Sequence, residues 1–353
     1  MIRPRQHLKY LNREQQNFYD EENFLRLHMN EYVPGISVEF YDKLKHRLTP
    51  EILSAYPQVN SAYSKLSQFL NLPCEQLVLT TGSDGVIYSV LQAFCDYGDK
   101  IAYISPTYGM YEIYARMLGL DYVELKYTED LKLKQDDILS VIDSNLKVFL
   151  FANPNGVFGN SLDLDFILEI IKRAHQVGTI VLIDEVYADF IDGGISRFAR
   201  FCETYDNLII ARSFSKSYGV AGIRLGYSIS SREARHYLMA TRRNVEINSI
   251  AVEALKILLD DPAFLKESVA NILFSKKKIL DYLSQKGFSV YAGEANFLVI
   301  ETEDECLFKH LQENKILVKR IEYGKRTFLR VTIGVLSYMR NFISAMEKYV
   351  GGV

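Results

Sequence analysis

Residues 213–227 read S-F-S-K-S-Y-G-V-A-G-I-R-L-G-Y. Two cations, Lys216 and Arg224, interrupt a run of small, hydroxylated and apolar residues, with glycines at 219, 222 and 226. The pattern predicts a buried face that carries two charges, and an isolated buried charge is costly unless it is paired or neutralised. A phosphate answers Arg224, Ser213 and Ser215 together, with the guanidinium as a fork, the hydroxyls as donors, and glycines letting the backbone approach. A lysine desolvated beside another cation becomes a usable amine nucleophile. Phosphate and amine together point to pyridoxal phosphate, a cofactor held as a lysine Schiff base. A dinucleotide-binding loop fails, because the glycines are not in G-x-G-x-x-G spacing.

Upstream, short apolar runs recur at 77–81, 101–105, 148–152, 180–183 and 208–212, most of them separated by helix-compatible segments such as 85–97 and 163–178. Alternating strands and helices predict an α/β fold with a mainly parallel sheet. Each run ends in a polar cluster: Gly82-Ser83-Asp84, Pro106-Thr107-Tyr108, Asn153-Pro154-Asn155, Asp184-Glu185-Val186-Tyr187, and Ser213 with Ser215-Lys216. Ligands of open α/β sheets bind beyond the carboxyl ends of the strands, so five clusters converge on one rim.

The flanks suit other units. Residues 1–35 form a polar, tyrosine-rich arm in which Pro34 and Gly35 break any regular element. One or two helices fit 36–72, with Tyr56-Pro57 between them. Residues 233–259 are helical, Asp260-Asp261-Pro262 is a break, and helices at 270–287 and 305–314 with strands at 289–290, 297–301 and 328–333 suit a smaller α+β domain. The expected division is an arm (1–35), a large cofactor-binding domain (36–245) and a small C-terminal domain (246–353).

A chain of 353 residues fits about two domains, and 48% hydrophobic with 24% charged residues is a soluble globular composition. Lys plus Arg at 41 against Asp plus Glu at 44 recruits neither nucleic acid nor an anionic membrane. No apolar segment follows the basic N-terminus and no run approaches the ~18 residues of a membrane span, so the cytoplasm is expected. The four cysteines, Cys74, Cys95, Cys202 and Cys306, are scattered and read as core thiols, and the six histidines show no metal-ligand spacing.

The order S-x-S-K-x-x-G-x-x-G-x-R-x-G-Y in 213–227 resembles the Schiff-base segment of fold-type I pyridoxal-phosphate enzymes, and most nearly that of the histidinol-phosphate aminotransferase family. The likeness covers nearly the whole chain and is sharp from Gly82 to Tyr227. It implies a fold-type I transferase acting as a homodimer, with pyridoxal 5'-phosphate on Lys216. Asp184, ending T-I-V-L-I-D, is the carboxylate for the pyridine nitrogen, or else a helix cap. Tyr187, matching the D-E-A-Y motif, is implied to bond the ring hydroxyl, Tyr108 to stack on the ring, and Tyr56 to reach the phosphate of the neighbouring subunit. Gly82, Ser83 and Asp84 open a helix whose amides are phosphate donors; the Asp84 carboxylate either turns away or orients neighbouring donors. Arg330 in F-L-R-V-T-I-G resembles the arginine that takes the substrate α-carboxylate, with a surface ion pair as the alternative. Asn30 lies either near that carboxylate or caps a turn. Lys319 and Arg320 are weaker candidates for a distal anionic group.

Two departures stand out. The family pattern N-P-N-N-P-T-G is N-P-N-G-V-F-G here, so Gly156 replaces the Asn expected on the ring hydroxyl, and either Asn155 moves in or Tyr187 serves alone. Gly85 stands where the family usually has Glu, a small local change. The expected activity is an aminotransferase acting on a small amino acid or phosphorylated amine, with freed Lys216 moving the α-proton. A decarboxylase of a phosphorylated amino acid, using the same residues, is the alternative. A non-catalytic ligand-sensing module is disfavoured by the retention of Lys216, Asp184, Tyr187 and Arg224.

Overall fold

The computed structural model describes residues 5–11, 23–33 and 35–351; Pro34 and residues 1–4 and 12–22 of the expected arm lie outside the described residues. In chain order the strands are β1 (Leu25–Leu27), β2 (Leu77–Thr80), β3 (Lys100–Ser105), β4 (Asp121–Lys126), β5 (Leu146–Ala152), β6 (Ile180–Asp184), β7 (Leu208–Ser213), β8 (Gly226–Ser230), β9 (Ser289–Tyr291), β10 (Phe297–Glu301), β11 (Ile316–Tyr323) and β12 (Arg326–Thr332).

All five expected upstream strands lie in one seven-stranded sheet, ordered β2-β8-β7-β6-β5-β3-β4. Strand β8 runs antiparallel to both of its neighbours, β2 and β7. The other pairings are parallel. The sequence explains why the sheet is covered on both faces. Along the central strands alternate apolar residues enter different cores: Phe149, Phe151, Val181, Ile183, Leu208 and Ile210 face one, while Val148, Leu150, Leu182, Ile209 and Ala211 face the other. A period of two with both phases apolar is what a buried parallel sheet requires. Strand β4 escaped the sequence reading because it is an edge strand with only partly buried residues, and β8 because it begins inside the glycine-rich stretch.

The helical region after 232 divides into Arg232–Thr241 and Ser249–Asp260. The reason is local: the Asn248 side chain accepts from Ala251 N at 2.8 Å and starts a new helix. Beyond the expected limit at 245, Ser249–Asp260 packs through Ala251, Leu255 and Leu258 into the core that holds Phe40, Leu44 and Leu66. The break at 260–262 is present, with Pro262 at the first turn and Asp261 capping helix Pro262–Gln285.

A second sheet, ordered β1-β11-β12-β10-β9, is built on β10 and β12. Strand β1 of the N-terminal segment pairs parallel with β11, so the two chain ends share this sheet. Its core takes in Leu27 with residues of helices Pro262–Gln285, Glu305–Glu313 and Leu336–Gly351. The two sheets meet through aromatic edges: Phe158 packs on Phe328 at 5.4 Å between centroids, and Tyr187 on Phe297 at 5.7 Å. Among the cysteines Cys306 is a correction, being exposed rather than a core thiol. No described helix is long and apolar enough to cross a membrane.

Candidate active site

Because β8 opposes both β2 and β7, those two strands point the same way, and the carboxyl ends of β2, β3, β5, β6 and β7 share one rim. Strand progression reverses between β3 and β5, which are adjacent. That is the switch point at which such sheets form a crevice. Helix Gly82–Phe94 starts on this rim with its first-turn amides free of intrahelical partners. Gly82 has φ +79°, and a Cβ there would stand 3.0 Å from Arg224 Nη2. A Cβ on Gly226 would lie 2.4 Å from the Gly82 carbonyl carbon. Both positions therefore require glycine, and the result is a backbone cradle. Beside it Ser213 and Ser215 are hydrogen-bonded through their hydroxyls at 2.9 Å. Arg224, held at φ +59°, bonds Ala221 O at 3.1 Å.

Lys216 lies half-buried, with Nζ donating to Met29 O at 2.8 Å and standing 5.9 Å from the centroid of the Tyr187 ring. Asp184 is buried; one oxygen accepts from the Tyr111 hydroxyl at 2.9 Å and the other from Val186 N at 3.2 Å. Its carboxyl is pushed up to about 6 by burial, against the lowering pull of Tyr111, Val186 N and Lys216. In the cofactor-free protein the sign follows. Below the unfolded value of about 3.9 both states hold the proton, and between there and about 6 only the folded state keeps it. Stability is therefore lost as pH rises through that window. Urea midpoints measured from pH 4 to pH 7 should fall more for the wild-type apoprotein than for Asp184→Asn. Parallel curves would remove the effect from Asp184.

The remaining expected residues are distributed unevenly. Tyr108 is 45% exposed over the rim. Its hydroxyl and that of Tyr114 donate to the two oxygens of Asp84 at 3.2 and 2.7 Å, so the Asp84 carboxylate orients neighbouring phenols. The Asn155 side chain faces its own loop, accepting from Val157 N and Phe158 N and donating to Pro106 O. It does not move into the place of the missing Asn. Gly156 leaves that place open: a Cβ there would lie 3.8 Å from the Tyr187 hydroxyl. Gly85 is more than a small change, because a Cβ would stand 2.9 Å from Thr81 Oγ1. The Glu246 carboxylate lies beside it instead and bonds Thr81 Oγ1 at 3.4 Å.

Arg330 donates to Gly156 O and to His28 O, and its guanidinium lies 5.3 Å from the Phe297 ring centroid. Burial lowers its pKa from the ordinary arginine value. Its Nε has no hydrogen-bond partner among the described residues. Asn30 is 1% exposed, and its side chain bonds the Tyr187 hydroxyl and Thr332 rather than facing an open pocket. Residues 28–30 thus form a strap on which Arg330, Lys216 and Tyr187 all converge. Tyr56 is 81% exposed on the single chain. Arg320 pairs with Glu305 and Glu322, whereas Lys319 is exposed and stands in register with Arg330 across β11 and β12.

The chain is 34% identical over 278 residues to a histidinol-phosphate aminotransferase of Parabacteroides distasonis, covering 77% of this chain and 79% of that one. It is 31% identical over 304 residues to one of Geotalea daltonii, covering 84% and 85%. The crystal structure of the histidinol-phosphate aminotransferase from Clostridium acetobutylicum superposes with a TM-score of 0.83 at 25% identity, over 93% of this chain and 100% of that one. Residues 25–346 match the family described as aminotransferase class I and II. This chain belongs to that family.

Its fold is accordingly fold type I, and its cofactor is pyridoxal 5'-phosphate. The residues of this aminotransferase fit that group: a glycine cradle and free helix amides for a phosphate, a buried carboxylate of raised pKa for a ring nitrogen, and a half-buried amine between them. The site contains one element that the sequence reading missed. The two cations expected on a buried face are not the buried ones, since Arg224 is exposed and Lys216 only half-buried. The fully buried cation is Arg212, one residue before Ser213. It donates to Glu185 Oε2 at 2.8 Å and to Asp189, which also accepts from the Ser217 hydroxyl. Burial works against the charge of Arg212, but the two carboxylates with it outweigh burial and hold it protonated. Its neighbours Asp184 and Lys216 in sequence were the available signal: each carries a polar residue next in line, Glu185 and Ser217, that points the other way into this network.

Proposed function

We propose that this aminotransferase moves an amino group between a keto acid and a small amine or amino acid that carries an anionic group, a histidinol-phosphate-like substrate being the nearest fit. The observation that carries the substrate reading is Arg330. It is a partly buried guanidinium with no ion pair among the described residues, and its inaccessible Nε–H lacks a partner there. A partly buried, unmatched cation calls for an anion, and a carboxylate or phosphate oxygen supplies one with fork geometry. Lys319, on the same face one strand away and also without an ion pair among the described residues, supports a second anionic group further out.

In this reading Ser213, Ser215, Arg224 and the amides of Gly82, Ser83 and Asp84 bind the cofactor phosphate, Tyr108 covers the ring, and Asp184 keeps a proton on the ring nitrogen. Bound there, pyridoxal phosphate supplies an electron sink conjugated with the substrate carbon. Lys216 anchors the cofactor and, when its amine is released, takes the proton from the substrate α-carbon and returns it as a general acid. Tyr187 donates to the ring oxygen. Tyr56, exposed on one chain, reaches the phosphate of a partner's site in a cytoplasmic homodimer. The chain divides functionally into an arm (1–35), a cofactor-binding domain (36–245, with helix Ser249–Asp260 packed into its core) and a small domain formed by the rest of 246–353, which brings Arg330.

The test is an absorbance spectrum of the purified protein titrated with glutamate, alanine and phosphorylated amino donors. A visible Schiff-base band that is replaced by the amine form of the cofactor, one keto acid appearing per site, is expected with one donor. Carbon dioxide release without keto acid would replace transamination by decarboxylation. Absence of any band with added cofactor would overturn the assignment of Lys216.

A further inference from the structure

We propose that Asn30 is a positioning residue for this site, acting through Tyr187: its side-chain amide takes the acceptor side of the phenol and leaves the phenolic proton for the cofactor ring oxygen. The inference rests on the reading of Tyr187 given above.

The hydrogen bonds around Asn30 define its orientation. Its backbone N–H donates to Thr332 Oγ1 at 3.0 Å, and the Thr332 hydroxyl in turn lies 3.1 Å from Asn30 Oδ1. The Thr332 hydroxyl donates its proton to Oδ1, the arrangement in which that atom is the amide oxygen. The amide nitrogen then points at the Tyr187 hydroxyl, 2.8 Å away. The Asn30 carbonyl accepts from Asn296 Nδ2 at 3.2 Å. Every polar atom of Asn30 is therefore engaged. The residue also holds φ +53°, a conformation that asparagine tolerates better than most side chains.

A phenol has one proton to donate and can accept two. With Asn30 Nδ2 donating into it, the Tyr187 hydroxyl does not need its own proton for Asn30. On another side stands Gly156, whose missing side chain leaves the hydroxyl uncovered. The charged groups that face Tyr187 are Lys216, 5.9 Å from its ring centroid, and Arg330, which stacks on the Phe297 ring that meets Tyr187 edge-on. Asp184 precedes it by three residues on the same strand end. Neither cation accepts a proton, so an acceptor on the open side is the phenol's remaining partner. Thr332 belongs to β12 of the second sheet and Tyr187 follows β6 of the seven-stranded sheet, so Asn30 also makes the direction of that proton depend on how the two sheets are joined.

The test reads the pH midpoint of the visible absorbance band of the holoprotein, together with retained secondary structure by circular dichroism. A bond donated to the ring oxygen weakens that oxygen's share of the Schiff-base proton and lowers the midpoint. Tyr187→Phe should therefore raise the midpoint, by about 0.7 of a pH unit, the equivalent of about 1 kcal/mol for one neutral hydrogen bond. Asn30→Asp keeps the shape but offers only acceptors, so it should draw the phenolic proton away and raise the midpoint as far. Asn30→Ala should move it part of the way. In the Tyr187→Phe background Asn30→Asp should add nothing, whereas a direct effect of the new charge would persist there. The inference is overturned if both Asn30 variants keep the wild-type midpoint while Tyr187→Phe moves it, or if the effects of Asn30→Asp and Tyr187→Phe add. If Tyr187→Phe itself moves nothing, or the wild type shows no visible band, the underlying reading of the site falls and takes the inference with it.

Discussion

Lys216→Ala is expected to lower kcat by about 10⁴-fold or more while the protein still retains cofactor. The two outcomes separate because the structure divides the labour. The cradle at Gly82 and Gly226, with Ser213, Ser215 and Arg224, which we propose holds the cofactor phosphate, is made without the lysine side chain, whose only hydrogen bond among the described residues is to Met29 O. Of the other groups proposed for the site, Arg330 carries a guanidinium rather than a titrating amine and Asp184 is engaged by Tyr111 and Val186 N, so neither takes over that proton. Stopped-flow spectra with the best donor, alongside equilibrium dialysis of the cofactor, would check both halves. Turnover within tenfold of wild type would remove Lys216 from the proton transfer.

Arg212→Ala should be the most destabilising single change in the large unit, costing about 3–5 kcal/mol. Removing the guanidinium leaves Glu185 and Asp189 buried without the cation that they share. The thermal midpoint of the unit that holds the seven-stranded sheet should fall by roughly 10 °C. The loss should shrink as pH is lowered, because the stranded carboxylates then take up protons and cease to be buried charges. Adding Glu185→Gln and Asp189→Asn to Arg212→Met should recover much of the stability, since an apolar and neutral replacement of the whole network removes the desolvation cost as well. A pH-independent loss would mean that Arg212 acts by packing alone. The network also reaches the segment of Lys216: Asp189 accepts from the Ser217 hydroxyl, and the Ser268 hydroxyl donates to Ser217 O, so the backbone beside Lys216 is tied down from behind.

The phase of the apolar pattern made the central sheet legible. In β5, β6 and β7 both alternating faces are apolar, which only a sheet covered on both sides accommodates, and helix-compatible segments between them dictate parallel pairing. The same logic placed the rim residues, because a polar cluster following a buried strand has to emerge at its carboxyl end. The edge strand β4 and the antiparallel β8 were not legible, since an edge strand need not be apolar and a strand that starts at Gly226 reads first as a loop. Strand β11 lies inside the second sheet, between β1 and β12, and was hidden because Lys319, Arg320 and Glu322 interrupt its apolar pattern.

The sequence alone determined the residue types proposed for the site and their order along the chain: the amine of Lys216, the carboxylate of Asp184, the glycines at 82 and 226, and the arginine on β12. Partnerships between distant residues were decided only by the tertiary structure. Asn30 meets Tyr187, Tyr111 meets Asp184, and Arg212 replaces Lys216 and Arg224 as the buried cation. The physical reason is that a hydrogen bond across the fold is set by which elements pack together, and Asn30 and Tyr187 are brought together only when the N-terminal strap enters the second sheet and that sheet docks against the first.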